Sequence, residues 1–195
     1  MNAVTQYADE TKWEKEWQKE YKYGIILIYP PEPHLSKITE LRNRYAWAQS
    51  SECDAHISLS VQLARPVYQA DIDEIYNKLS CIEPLKIQYG PVIEKPEHRG
   101  VVLEVKQQEE LKKILEVVET SSIFENSPVR RFPYWAHMTI AEMMYPCTWE
   151  QTYQVIEEVK DLPLSDIFEL SYLSYAVPDD NFKFTERKRI PLYGK

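Results

Sequence analysis

The chain has 195 residues, with 23 Lys and Arg against 31 Asp and Glu, a formal net charge of −8. That length suits one domain or two small lobes, and the acidic balance argues against long DNA or RNA as the partner, because counterion release needs clustered cations. Four glycines against thirteen prolines, with neither a G-x-G-x-x-G nor a G-x-x-x-x-G-K-[ST] run, argue against a glycine-rich nucleotide cradle.

Residues 11–21 read as a charged helix. Trp13, Trp17 and Tyr21 recur every four residues, so three aromatics share one face, and such a stripe is expected to pack on the body of the protein. Residues 24–29 are a short apolar run closed by Pro30 and Pro31, the pattern of a buried strand. Residues 36–49 read as a helix with Ser36 as N-cap and Ile38, Leu41 and Tyr45 on one side. A strand over 55–63 and a helix over 71–79 follow. Residues 85–93 and 101–105 read as strands joined through 95–100.

A second set repeats this order. Residues 109–120 form an amphipathic helix, 127–133 a basic connection, 136–142 a strand and 149–160 a helix. Residues 167–177 and 182–190 read as a long closing strand pair around 178–181. The repeat implies an α+β fold of two lobes packed as one unit. We read 1–22 as an N-terminal helical extension and 23–195 as a single bilobal domain.

The cysteines are Cys53, Cys81 and Cys147. Their odd number and the lack of a C-x-x-C pair support neither a zinc knuckle nor a disulfide framework, and they are expected as small buried apolar residues. The first 23 residues are rich in Lys and Glu and show no apolar secretory core. The longest apolar run falls far short of the ~20 residues of a membrane helix. The expectation is a soluble cytoplasmic protein with no membrane partner.

Two of the four histidines sit in matching settings: Ala55-His56-Ile57-Ser58-Leu59 and Ala136-His137-Met138-Thr139-Ile140. Each lies on an expected strand, one per half. Side chains alternate across a strand, so each presents an imidazole and a hydroxyl on one face and apolar residues behind. Two of four histidines sharing this tail by chance is on the order of a few in a thousand, given average composition. With the two faces opposed, one neutral imidazole can take a proton from water while the other, protonated, gives one to a leaving oxygen. The hydroxyls of Ser58 and Thr139 can donate to non-bridging phosphate oxygens. The pattern calls for no metal and no cofactor.

The paired His-apolar-hydroxyl-apolar motifs resemble the 2H phosphoesterase superfamily, which includes 2′-5′ RNA ligase-like proteins and cyclic phosphodiesterases. The resemblance runs over residues 23–192 and takes in the opening strand 24–29, the strand 101–105 and the 168–174 segment. It implies a bilobal α+β structure of two pseudo-symmetric lobes, each with an antiparallel sheet and flanking helices, around a central cleft. It also implies metal-free chemistry on 2′,3′-cyclic phosphates or 2′-linked phosphodiesters, with His56 and His137 as the catalytic pair and Ser58 and Thr139 as phosphate ligands.

Further candidates surround the motifs. Arg130 and Arg131, with Tyr134 and Trp135, precede the second motif, where cations beside aromatics can hold a second phosphate or stack a base. Tyr172 and Tyr175 lie on a strand expected to border the cleft. His34 and His98 lack the hydroxyl two residues on and read as surface residues. The expected activity is a metal-independent phosphodiesterase acting on a small nucleotide-derived substrate, a short or cyclic oligonucleotide included. The alternatives are RNA end-processing or 2′-5′ RNA ligase-type activity, or a non-catalytic module that holds a phosphorylated ligand.

Overall fold

The computed structural model describes residues 2–48, 53–95, 100–142 and 148–192. Eight strands form one antiparallel sheet: β1 (Ile25–Ile28), β2 (Ile57–Ser58), β3 (Leu85–Lys95), β4 (Gly100–Val105), β5 (His137–Glu142), β6 (Asp166–Leu170), β7 (Tyr172–Pro178) and β8 (Phe184–Pro191). Their order is β6-β3-β4-β5-β2-β1-β7-β8. Four helices accompany them: α1 (His34–Arg44), α2 (Gln69–Leu79), α3 (Gln108–Glu119) and α4 (Trp149–Val159).

The two expected lobes are the two halves of this sheet. β6-β3-β4-β5 makes one and β2-β1-β7-β8 the other, and the pairing of Ile57 with Met138 joins them. α1 touches β5, and α4 touches β3 and β4; α2 packs against α3 and β8. Each half therefore carries two helices. Their apolar stripes meet the sheet in one continuous core that includes Ile38, Ile75, Leu115, Val159, Ile57 and Met138.

The sheet is curled. β6 and β7 stand six strand spacings apart in its order, which is roughly 29 Å in a flat sheet. Only Ser171 separates them in the chain, and two residue steps span at most about 7 Å. The sheet must bend until β6, at one edge, comes within reach of the start of β7, next to the other edge. The closing segment expected as one strand over 167–177 is thus two strands, one serving each half: β6 pairs with β3, and β7 pairs with β1 and β8.

Other elements differ at their ends. α1 begins at His34, and Ser36 lies inside it with its hydroxyl bonded to Glu32 rather than acting as the cap. Only Ile57 and Ser58 of the 55–63 strand pair regularly. The 11–21 helix is two 3-10 turns, Glu10–Lys12 and Glu16–Tyr21, separated by Trp13 and Lys15 in extended conformations. The break lets Trp13 and Trp17 both reach Phe182, and their face does pack on the body of the protein. Gly24, with φ +82, turns the chain from this segment into β1; a Cβ there would lie 2.2 Å from the Ala176 carbonyl oxygen.

Candidate active site

The Ile57–Met138 pair fixes the site. Opposed residues of an antiparallel pair share a face, and the face alternates along each strand. Ile57 and Met138 are fully buried toward the helices. His56, Ser58, His137 and Thr139 therefore all project from the opposite, open face. Continuing the register sets His56 against Thr139 and Ser58 against His137. Each imidazole thus has a hydroxyl beside it on its own strand and another across the seam, with opposed Cβ atoms about 5 Å apart. Ser58 is exposed, and His56, His137 and Thr139 are half-buried. In β5 the register against β4 shifts between Thr139 and Ala141, a bulge of the kind that re-aims side chains next to functional sites.

Both rings are anchored alike. His56 Nδ1 lies 2.8 Å from the Asp54 carbonyl oxygen, and His137 Nδ1 lies 2.8 Å from that of Trp135. A carbonyl can only accept, so Nδ1 carries the proton, and in the neutral ring Nε2 is left as an acceptor. The Trp135 ring stacks on His137 at 5.0 Å and 22°. Tyr29 meets His56 edge-on at 6.3 Å.

Two cations that the sequence reading did not single out stand here. Lys95 Nζ lies 3.3 Å from His137 Nε2 and 5.7 Å from the centre of the Trp135 ring. Arg42 is buried and donates to the Thr139 carbonyl. Arg42 had a visible signal: it falls in the apolar stripe of Ile38, Leu41 and Tyr45, where a charged residue requires a reason. Lys95 had none, since only strand pairing brings it beside His137.

Burial first, and the Arg42 guanidinium second, push the His56 pKa down to about 4, although part of the ring meets solvent. Both causes disfavour the imidazolium, so His56 is neutral at neutral pH. An NMR titration of the His56 ring should show a midpoint near 4, moving upward in Arg42→Met; a wild-type midpoint at the ordinary ~6.5 would refute this. The linkage has a definite sign. Unfolded His56 takes up its proton near 6.5 and folded His56 near 4, so its contribution to stability is complete above about 6.5 and is lost as pH falls toward 4.

The remaining candidates divide. Trp135 lies at the site, on His137. Arg130 is committed elsewhere: its guanidinium donates to the Leu59 carbonyl and to Glu119, both at 2.9 Å, and so holds the chain just past Ser58. It also lies 5.3 Å from the Tyr134 ring, which packs against the main core. Arg131 is exposed and pairs with Glu20 at 3.4 Å. Tyr172 lies on the open face, two strands from His56, with the Arg189 guanidinium 4.6 Å from its ring centre.

Tyr175 is a correction. It is fully buried on the helix side, donating to the Tyr23 carbonyl at 2.8 Å, with the Tyr7 hydroxyl 3.2 Å away. Three residues separate it from Tyr172, so strand alternation sends the two to opposite faces. His34 is another: its side chain is 13% exposed, with Nδ1 2.9 Å from the Tyr89 hydroxyl. Of the cysteines, Cys81 is exposed rather than buried and Cys53 is half-buried. His98 and Cys147 lie outside the described residues.

No protein-family model and no curated relative matches the chain. Solved structures do. One described as TT0787 of Thermus thermophilus superimposes with a TM-score of 0.58 and 12% identity, covering 88% of this chain and 98% of that one. A structure described only as a phosphoesterase gives 0.57 and 13%, covering 87% and 97%. LigT of E. coli, in complex with 3′-AMP, gives 0.56 and 13%, covering 86% and 96%. At such identities the likeness is one of fold. The chain shares the fold of these structures, and on its own curled antiparallel sheet a His-x-[Ser/Thr] motif stands on each side of the seam. Among the described residues no helix is long and apolar enough to cross a membrane.

Proposed function

We propose that the chain is a metal-independent phosphodiesterase that hydrolyses a cyclic phosphate or a 2′-linked phosphodiester in a small nucleotide-derived substrate, working in the cytoplasm. The observation that carries this reading is the seam, where two imidazoles and two hydroxyls share one face with both Nδ1 atoms tied back by carbonyls. The LigT complex with 3′-AMP lends support for a nucleotide with a ribose phosphate as the ligand class.

His56, held neutral, is suited to take the proton of the attacking water. His137 then serves as the acid. Lysine can only donate, so Lys95 occupies the Nε2 lone pair of a neutral His137. A bound phosphate offers Lys95 an anionic acceptor, frees Nε2 and favours its protonation. Water adds to phosphorus, the bond to the leaving oxygen breaks, and that oxygen takes the His137 proton. The Ser58 and Thr139 hydroxyls donate to the non-bridging oxygens.

The test is a panel of nucleoside 2′,3′-cyclic phosphates and of 2′-5′ and 3′-5′ dinucleotides, with the product phosphate position read by NMR. Turnover of a cyclic or 2′-linked member is expected, and inertness toward all of them would overturn the proposal. Because two imidazoles and two hydroxyls suffice for this chemistry, exhaustive chelation is expected to leave the rate unchanged. Loss of activity restored by a divalent ion would point to metal-assisted hydrolysis instead.

A further inference from the structure

The open face beside Ser58 is not bare. Leu27 stands directly opposite Ser58 across the β1–β2 pair, yet it is fully buried. The N-terminal segment contributes to its cover, beside Tyr29 and Cys53. Trp13 joins Ile25, Leu27, Ala176, Phe182 and Phe184 in a second, separate core, with Trp17 and Tyr21 packed against it. This cluster starts one strand spacing, about 4.8 Å, from the Ser58 position.

The cluster is rigidly held. Phe182 adopts a left-handed φ of 61°, a conformation a bulky residue keeps only when its surroundings demand it. Trp13, Trp17, Tyr21 and Phe184 surround its ring edge-on at 5.2–6.0 Å. The Trp13 indole also donates to the Asp179 carbonyl at 3.0 Å, and Lys12 pairs with Asp180. The far end of the segment reaches the other half of the protein. Glu20 pairs with Arg131, in the connection that leads into His137, and the Tyr21 hydroxyl bonds to Gln62, just past Ser58.

We propose that residues 10–21 are a fixed wall of the substrate cleft that closes it on the Ser58 side and sets substrate length. The proposal rests on the phosphodiesterase reading and narrows it to mononucleotide-sized substrates. A polynucleotide leading away from the reacting nucleotide on that side would have to displace the Trp13, Trp17 and Tyr21 rings, which interlock with Phe182.

The experiment compares kcat/KM for a nucleoside 2′,3′-cyclic phosphate with that for a twelve-residue RNA ending in the same group, in the full chain. Wild type is expected to prefer the short substrate by at least about tenfold, a modest barrier of one decade. Trp17→Ala, which loosens the ring cluster, and Glu20→Ala, which cuts the exposed tether to Arg131, are expected to bring the ratio toward one by raising activity on the long RNA. Activity on the short substrate should stay within about threefold. Glu20→Ala changes only an exposed side chain, so it carries the test if Trp17→Ala fails to fold. An unchanged ratio in a folded variant, or equal use of both substrates by wild type, overturns the wall while leaving the phosphodiesterase standing. Turnover of neither substrate by wild type overturns both.

Discussion

His56→Ala and His137→Ala are each expected to lower kcat by about 10²–10⁴-fold, the usual contribution of a positioned general acid or base. Neither change should unfold the protein. Both rings stand on the open face and keep part of their surface in solvent; each is tied back by an Nδ1 bond to a nearby carbonyl, and His137 also meets Lys95 and the Trp135 ring. The packing partners that hold the seam, Ile57 and Met138, are untouched and lie on the other side. Groups that act as a pair lose most of their joint effect when either is removed, so the double variant should fall little below the worse single one. Circular dichroism and melting temperature establish folding, and single-turnover rates measure chemistry. Wild-type-like turnover in a folded single variant would remove that histidine from the mechanism.

Ser58→Ala and Thr139→Val should each reduce kcat by about 10²–10³-fold, with KM changed far less. A donor aimed at developing charge typically contributes that much, and the effect falls on kcat because the phosphate oxygens bear most charge at the transition state. Thr139→Val keeps the branched shape that suits a strand and removes only the hydroxyl. The two hydroxyls come from different halves of the sheet, one beside each imidazole across the seam. A rate loss at only one of them would show that the phosphate sits on one side of the seam, and a fall in affinity without loss of kcat would make them ground-state ligands.

Much of this arrangement is legible in the sequence alone. A strand's period of two is strict, so His56 with Ser58 and His137 with Thr139 had to share faces once both segments were read as strands. The spacing of Trp13, Trp17 and Tyr21 predicts their packed face but not the two 3-10 turns that present it. Periodicity reports which residues are buried together, but the backbone there follows the shape of its cover, here the cage around Phe182. Tyr172 and Tyr175 stand three apart on one strand and so face opposite ways, and which of them meets the cleft is set by the pairing of that strand with β1, which the sequence does not carry.

By itself, then, the sequence determined the local matters: the α+β order of elements, the duplicated histidine motifs and the hydroxyl beside each ring. These depend on contacts within a few residues, where backbone geometry alone decides. Tertiary structure decided which groups from distant segments meet. The Ile57–Met138 pairing turned two motifs into one site, strand pairing brought Lys95 to His137, and burial of α1 set the Arg42 charge near His56. It also laid the N-terminal segment over Leu27, next to Ser58. Such meetings depend on how a sheet curls and on how its strands register, and no residue carries the register of strands far from it in the chain.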